Sequence, residues 1–389
     1  MPGFSSQDNI INALSNGQSF RYDWNKSMNP TTAAIAGEFH MTARGNGNPG
    51  PDALFDTGAN LTFIGVEDDT TSASSIPHGG DVQPTYYKSL ANLSAFTAAA
   101  TTAPCVGVLV DLIGYYRKTT VTTTTAENTT NTLGYGDTFT ADAGTDVITM
   151  TSTANIPSNI LTGTRVRLTT TTTLPAGLAL ATDYYVIKVT DSTFKLATSY
   201  ANAIAGTQIN ITDAGTGTHT MSRLLPRYTN GAGVQAIFFN PAATALGAAT
   251  PNLSLVYTNS AQTGSRATPG VQPIGKTAAS NSLILYTGTG SGKFNYQHPL
   301  QAGDAGIAQI DSIRNTTSYV SGTYTVALVK ELARVPITTL GVAAERDLVN
   351  QLPSLPRIYD GAALYWIIGS STTTPANANF SGHLTTIWN

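Results

Sequence analysis

The segment Leu54-Phe55-Asp56-Thr57-Gly58-Ala59-Asn60 sets one carboxylate between an apolar pair and a Thr-Gly turn. Two carboxylates held close together can share one proton and activate water, so acid–base chemistry at Asp56 would need a second such group. No second Asp-Thr-Gly or Asp-Ser-Gly copy exists in the chain, so this chemistry needs a homodimer across Asp56. The same residues also suit a β-turn, with Asp and Gly at favoured positions. Gly288-Thr289-Gly290-Ser291-Gly292-Lys293 is a candidate for phosphate. A phosphate loop needs a further Gly with four residues between it and the final Gly-Lys, then Ser or Thr. Thr287 and Phe294 occupy those places, so the segment reads as a hairpin turn.

The five histidines are His40, His78, His219, His298 and His383. No two stand at i,i+4 or share a local Cys or Glu cluster, so zinc spacing is absent. His78-Gly79-Gly80 has the look of an oxyanion loop, but no Gly-x-Ser-x-Gly elbow accompanies it. Asp111, inside an apolar run, suits a hydrogen-bond acceptor better than a catalytic acid. Glu67-Asp68-Asp69 reads as a solvated turn, since the spacing of a calcium loop is missing. Three tyrosine pairs, Tyr86-Tyr87, Tyr115-Tyr116 and Tyr184-Tyr185, would each put one ring inward and one outward on a strand. Outward rings suit a carbohydrate or an interface. No cofactor and no metal are expected.

The elements that position these residues are mostly strands. Residues 106–116 form a near-continuous apolar run rich in β-branched residues, which predicts a buried central strand. Residues 53–66 read as a strand or hairpin, and 233–240, 253–257, 282–287 and 322–329 as strands, with 362–368 and 382–388 closing the chain. Helices are predicted over 5–17, capped by Ser5 or Ser6 with Ile10, Ile11 and Leu14 as its apolar stripe, and over 343–351. The spacing of Tyr87, Leu90 and Leu93 predicts a third over 83–98. Residues 119–220 hold about half of all the threonines and only four basic residues: Arg165, Arg167, Lys188 and Lys195. Short strands over 146–151, 164–169, 183–189, 193–197 and 208–212 predict a small β-sandwich or barrel there. The chain therefore divides into an outer domain over 1–118 and 223–389, with 119–222 inserted as a β-rich domain behind a Thr-rich linker.

Composition supports that reading. Only 11% of the 389 residues are charged, the net charge is −3, and about one residue in six is threonine. An electrostatic nucleic-acid binder needs a basic face, which this balance excludes. One cysteine, Cys105, excludes a disulfide framework and a CxxC metal site. No apolar run is long enough to span a membrane, and the N-terminus lacks the pattern of a signal peptide. Sparse charge on Thr, Ser and Asn surfaces predicts packing against copies of the chain or against a lattice.

Two resemblances follow from these residues. Asp56-Thr57-Gly58-Ala59, with Leu112-Ile113-Gly114, resembles the signature of retroviral-type aspartic peptidases. The second resemblance is much longer. Leu174–Leu178, Thr182–Ile187, Thr193–Ala197 and Gly215–Thr220 resemble a β-rich module common in tailed-phage virion proteins. The flanks FRYDWNK (20–26), LVDLIGYY (109–116), RYTNGAG (227–233) and 341–360 are similar to phage structural proteins of the head type. That resemblance implies a capsid decoration or cement protein on the outer surface of the virion, made in the host cytoplasm. Its expected partners are the major capsid protein and itself, as a homotrimer, with no direct nucleic acid and no membrane. The expected fold is mainly β: a discontinuous β-sandwich or jelly-roll-like outer domain with a few short helices and the inserted β domain. Trp366 and Trp388, on the closing strands, are the candidate interface anchors. The alternatives are a major capsid protein, a tail or fibre protein, and a peptidase using Asp56 in a homodimer.

Overall fold

The computed structural model describes residues 4–28, 37–51, 61, 63–68, 75–83, 85–98, 104–118, 127–128, 138–151, 162–228, 230–240, 253–261, 263–269, 283–284, 296–315, 323–351, 355–370 and 378–389. The chain is mainly β, as its composition predicts. Its spine is β6 (Cys105–Lys118), built by the apolar run around Asp111. On one side β6 pairs along its length with β19 (Tyr324–Ile337). On the other it pairs with β21 (Leu364–Ser370) and β4 (Phe63–Gly65). From β19 the pairing passes through β14 (Val234–Phe239), β17 (Leu283–Ile284) and β2 (Phe39–Met41) back to β21, so it closes into a ring.

Strand alternation sends side chains to opposite faces of that ring. Val108, Val110, Leu112 and Tyr115 pack in one cluster with Ala327, Val329, Tyr365 and Ile367 inside it. Leu109, Val335 and Trp366 face the other way. They are covered by a sheet ordered β20 (Ala344–Asp347), β5 (Lys88–Thr97), β22 (Asn379–Trp388), β1 (Ser19–Ser27) and β3 (Gly47–Asn48). Further along the spine, Ile113, Tyr116, Val326 and Leu328 also face outward. A second sheet covers them: β16 (Arg266–Ala267), β15 (Leu253–Asn259), β18 (Ile307–Asn315) and β7 (Glu127–Asn128).

Residues 138–223 form a separate closed barrel. Its order is β10 (Arg165–Thr170), β11 (Asp183–Lys188), β12 (Thr193–Ala197), β9 (Val147–Met150), β8 (Thr138–Asp142) and β13 (His219–Arg223). Phe139, Ile148, Val166, Leu168, Phe194 and Leu196 fill it, and among the described residues they share no cluster with the outer body. Closure leaves no edge to pair with neighbours, which suits a Thr-rich segment with few charges to guard it. Residues 137–224 produced alone should therefore unfold in one cooperative transition. A featureless melt and a collapsed amide NMR spectrum would show that the barrel depends on the outer body. Glu127–Asn128, within the Thr-rich stretch expected as linker, pairs instead with Ser312 and Ile313 of the outer body.

Three local expectations are corrected. Residues 88–97 are strand, not helix. A register shift opposite Thr385/Thr386 turns Leu90 and Leu93 to the same face despite their odd spacing. Residues 344–347 are also strand, because they pair with the edge of β5. Only the turn α3 (Leu348–Gln351) follows, with the Asp347 carboxylate accepting from Val349 N at 3.0 Å. Residues 208–212 run irregularly, Ile211 N donating to Asp146 Oδ1 at 2.7 Å. The strands β8 and β13, which the sequence reading did not include, complete the barrel instead. The first helix, α1 (Gln7–Ser15), is capped by Ser6, one of the two serines expected there. Its stripe is not buried, however: only Ala13 is, and Ile11 is 58% and Leu14 49% exposed.

Candidate functional site

A cleft of about 950 Å³ lies between the barrel and the outer body. Its body side rests on Arg227, in the segment that returns the chain from the barrel. Arg227 Nε and Nη2 donate to the two oxygens of Asp111, at 2.9 and 2.6 Å. Nη1 donates to Val66 O at 2.8 Å, and Nη2 also to Leu112 O at 2.9 Å. The same Asp111 accepts from Ala363 N at 3.1 Å. Both side chains are buried. Burial opposes the guanidinium charge, but Asp111 outweighs it and holds Arg227 more firmly protonated than a free arginine. Asp111 is thus a buried acceptor, as its apolar surroundings predict.

The floor is a second ionic network. The Lys88 ammonium, wholly buried, lies 3.1 Å from Asp360 Oδ1. It also reaches His78 Nδ1 at 3.1 Å and the carbonyls of Gly79 and Gly80 at 3.1 and 2.9 Å. An ammonium only donates, so His78 Nδ1 accepts and the imidazole carries its proton on Nε2. That proton faces Asp68 Oδ2 and Ala362 O, both at 2.9 Å. Asp360 Oδ2 accepts from the amides of Val82 and Gln83, at 3.1 and 2.7 Å. The Gly79 and Gly80 carbonyls are therefore turned to a lysine, and this loop serves the fold where an oxyanion loop was a candidate.

The barrel side is aromatic and cationic. Arg165 opens β10, opposite Tyr185 on β11. It is 93% buried, being 7% exposed, and one nitrogen pairs with Asp183. Among the described residues its Nη1 is buried without a hydrogen-bond partner, and so is Gln83 Nε2 on the outer-body side of the cleft. Tyr200 heads α2 (Tyr200–Ile204), capped by Ser199 Oγ, which accepts from Asn202 N at 3.1 Å. Its ring meets that of Tyr185 edge-on, with centroids 6.4 Å apart. Gly163 lies against the same ring: a Cβ there would fall 2.5 Å from Tyr200 Cε2, and φ is +96°. Tyr200 is thus fixed in place yet 52% exposed.

Other candidates fall elsewhere. Residues 54–60, with Asp56, and residues 288–293 lie outside the described residues. Trp366 is wholly buried, its ring 4.9 Å from that of Trp24, so it fills the core of the single chain and cannot anchor an exposed seam. Trp388 is partly buried. Both closing strands are flanked on each side, β21 by β2 and β6, and β22 by β5 and β1, so neither offers a free edge. Tyr115 and Tyr116 split between the ring interior and its outer face. Tyr184 and Tyr185 split between the barrel core and the cleft. Cys105 is buried, which pushes its thiol up to about 12. Among the described residues no group of three His, Cys, Asp or Glu could hold a metal ion. Also among them, no helix is long and apolar enough to cross a membrane.

No protein-family model matches the chain. No curated protein matches it either. Among solved structures, the unassembled KI polyomavirus VP1 pentamer aligns at 12% identity over 96% of this chain and 94% of that one. The TM-score is 0.14, which carries no argument.

Proposed function

We propose that this protein is a structural component of a tailed-phage head: a decoration protein that binds the outer shell, contacts the major capsid protein and associates as a homotrimer. The observation that carries the reading is where the resembling segments sit. FRYDWNK supplies Trp24, which packs on Trp366, and Lys26, whose buried ammonium donates to the carbonyls of Pro49 and Gly50 at 3.0 and 2.7 Å. LVDLIGYY supplies Asp111, and RYTNGAG supplies its partner Arg227. The segment 341–360 supplies Asp360, which clamps Lys88. The likeness to virion proteins thus lies in the residues that lock the framework. Such a protein acts mechanically. Contact with several shell subunits at once raises the work needed to separate them, and linked contacts multiply their effect.

With both closing strands occupied, the exposed apolar face of α1 is the better docking surface. Purified protein should co-sediment saturably with heads that lack it. Ile11→Asp combined with Leu14→Asp should weaken that binding at least about tenfold, the equivalent of about 1.4 kcal/mol. Asp56→Asn should leave it unchanged. Absence of the protein from purified particles would overturn the proposal. So would pepstatin-sensitive proteolysis by the wild type that Asp56→Asn abolishes.

A further inference from the structure

We infer that the cleft between the barrel and the outer body binds a neutral oligosaccharide. Arg165 and Gln83 line it from the barrel and from the outer body, and each holds a buried donor, Nη1 and Nε2, without an acceptor among the described residues. A buried donor left unmatched is costly, so its natural partner is an oxygen brought by a ligand. The volume, about 950 Å³, falls in the range of small-molecule sites, roughly 300–1,000 Å³.

The lining selects the chemistry. Five carboxylates face the cleft against three cations, so an anion such as a phosphate or sulfated chain meets a net negative wall. A polyol meets what it needs. Its hydroxyls donate to the partly exposed Asp68 carboxylate, which His78 holds in place. Its ring and hydroxyl oxygens accept from Arg165 and Gln83. Tyr200 offers a held but half-exposed ring face, and Tyr185 braces it. A tyrosine ring of this kind gives apolar contact area at little cost in side-chain entropy. An extended peptide would want a free strand edge beside the cleft, and the closed barrel provides none on that side. The site lies in one chain and does not depend on capsid attachment.

The test is a printed array of neutral and anionic glycans probed with the full-length protein, followed by calorimetric titration of the best neutral oligosaccharide retained. Retention of neutral glycans is expected, with Tyr200→Ala weakening binding about tenfold or more and Gln83→Leu weakening it measurably. Tyr22→Ala, outside the cleft, should bind as the wild type does. Thermal melting of each variant separates lost binding from lost fold. A variant that melts early is replaced by Tyr200→Leu, which keeps an apolar side chain and should still lose affinity. Retention of anionic glycans alone, retention of none, or binding unchanged in the Tyr200 variants would overturn the inference.

Discussion

Arg227→Met is expected to destabilise the folded chain by about 3–5 kcal/mol, because it leaves Asp111 charged and buried without its counter-ion. Asp111 is wholly buried, and the hydrogen bond left to it among the described residues is that from the Ala363 amide at 3.1 Å. One amide cannot replace a two-pronged guanidinium. Two further carbonyls, of Val66 and Leu112, lose their donor in the same substitution. The site joins four parts of the chain: the stretch after β4, the spine β6, the return from the barrel and the approach to β21. Loss there should therefore lower the midpoint of chemical unfolding for the whole outer body. The barrel, whose core is separate, should melt near its ordinary temperature.

The double variant Arg227→Met with Asp111→Leu tests the cause. A buried ion pair can often be replaced by apolar residues at little cost, since both desolvation penalties vanish together. The double variant should thus be more stable than Arg227→Met alone, with a coupling of about 2 kcal/mol or more in the double-mutant cycle. Strict additivity would mean that the two side chains act independently and that the ionic pairing contributes nothing.

Much of this arrangement was legible in the sequence. The apolar run around Asp111 announced a buried central strand, and a lone carboxylate within it announced a buried acceptor. The abrupt rise in threonine marked the barrel, and two of the three tyrosine pairs, Tyr115-Tyr116 and Tyr184-Tyr185, marked strands with two contrasting faces, while Tyr86-Tyr87 precede β5. What stayed hidden was pairing at a distance. Arg227 follows Asp111 by 116 positions, and no local spacing connects them. Gln83 and Arg165 line one cleft from the outer body and from the barrel. The helix read over 83–98 failed for a physical reason: one register shift lets a strand imitate helical spacing. The helix read over 343–351 failed because the open edge of β5 outweighs local propensity. Trp366 looked like an interface anchor because a large apolar residue near a chain end suits either a core or a seam. Only its packing against Trp24 decides between them.

His298 makes the second large expectation, a loss of stability in mild acid. The ring is 2% exposed, stands edge-on to Phe238 at 4.9 Å, and reaches Thr268 Oγ1 through Nε2 at 2.9 Å. Among the described residues its Nδ1 is buried without a partner. Protonation would put a charge and an unmatched N–H into an apolar seam, so burial pushes this imidazole down to about 3. In the unfolded chain it titrates near 6.5. Between those values the unfolded state binds the extra proton, and stability rises with pH. The contribution is complete above about pH 6.5 and is lost as pH falls toward 3, at about 1.4 kcal/mol per pH unit, or about 4–5 kcal/mol in all. His383, lowered by burial and by Arg21, adds slope in the same direction. Asp304, which Arg266 and then Tyr257 hold down at about 2, acts lower, between about pH 4 and 2. Urea unfolding at intervals from pH 7 to 4.5 therefore reads the two histidines, and His298→Gln isolates one. That variant should be less stable than the wild type at pH 7, yet lose about 1.4 kcal/mol per pH unit less on acidification, so the two curves converge. Parallel curves would show that His298 keeps an ordinary affinity for protons in the folded chain, and would require an acceptor for Nδ1 inside the seam.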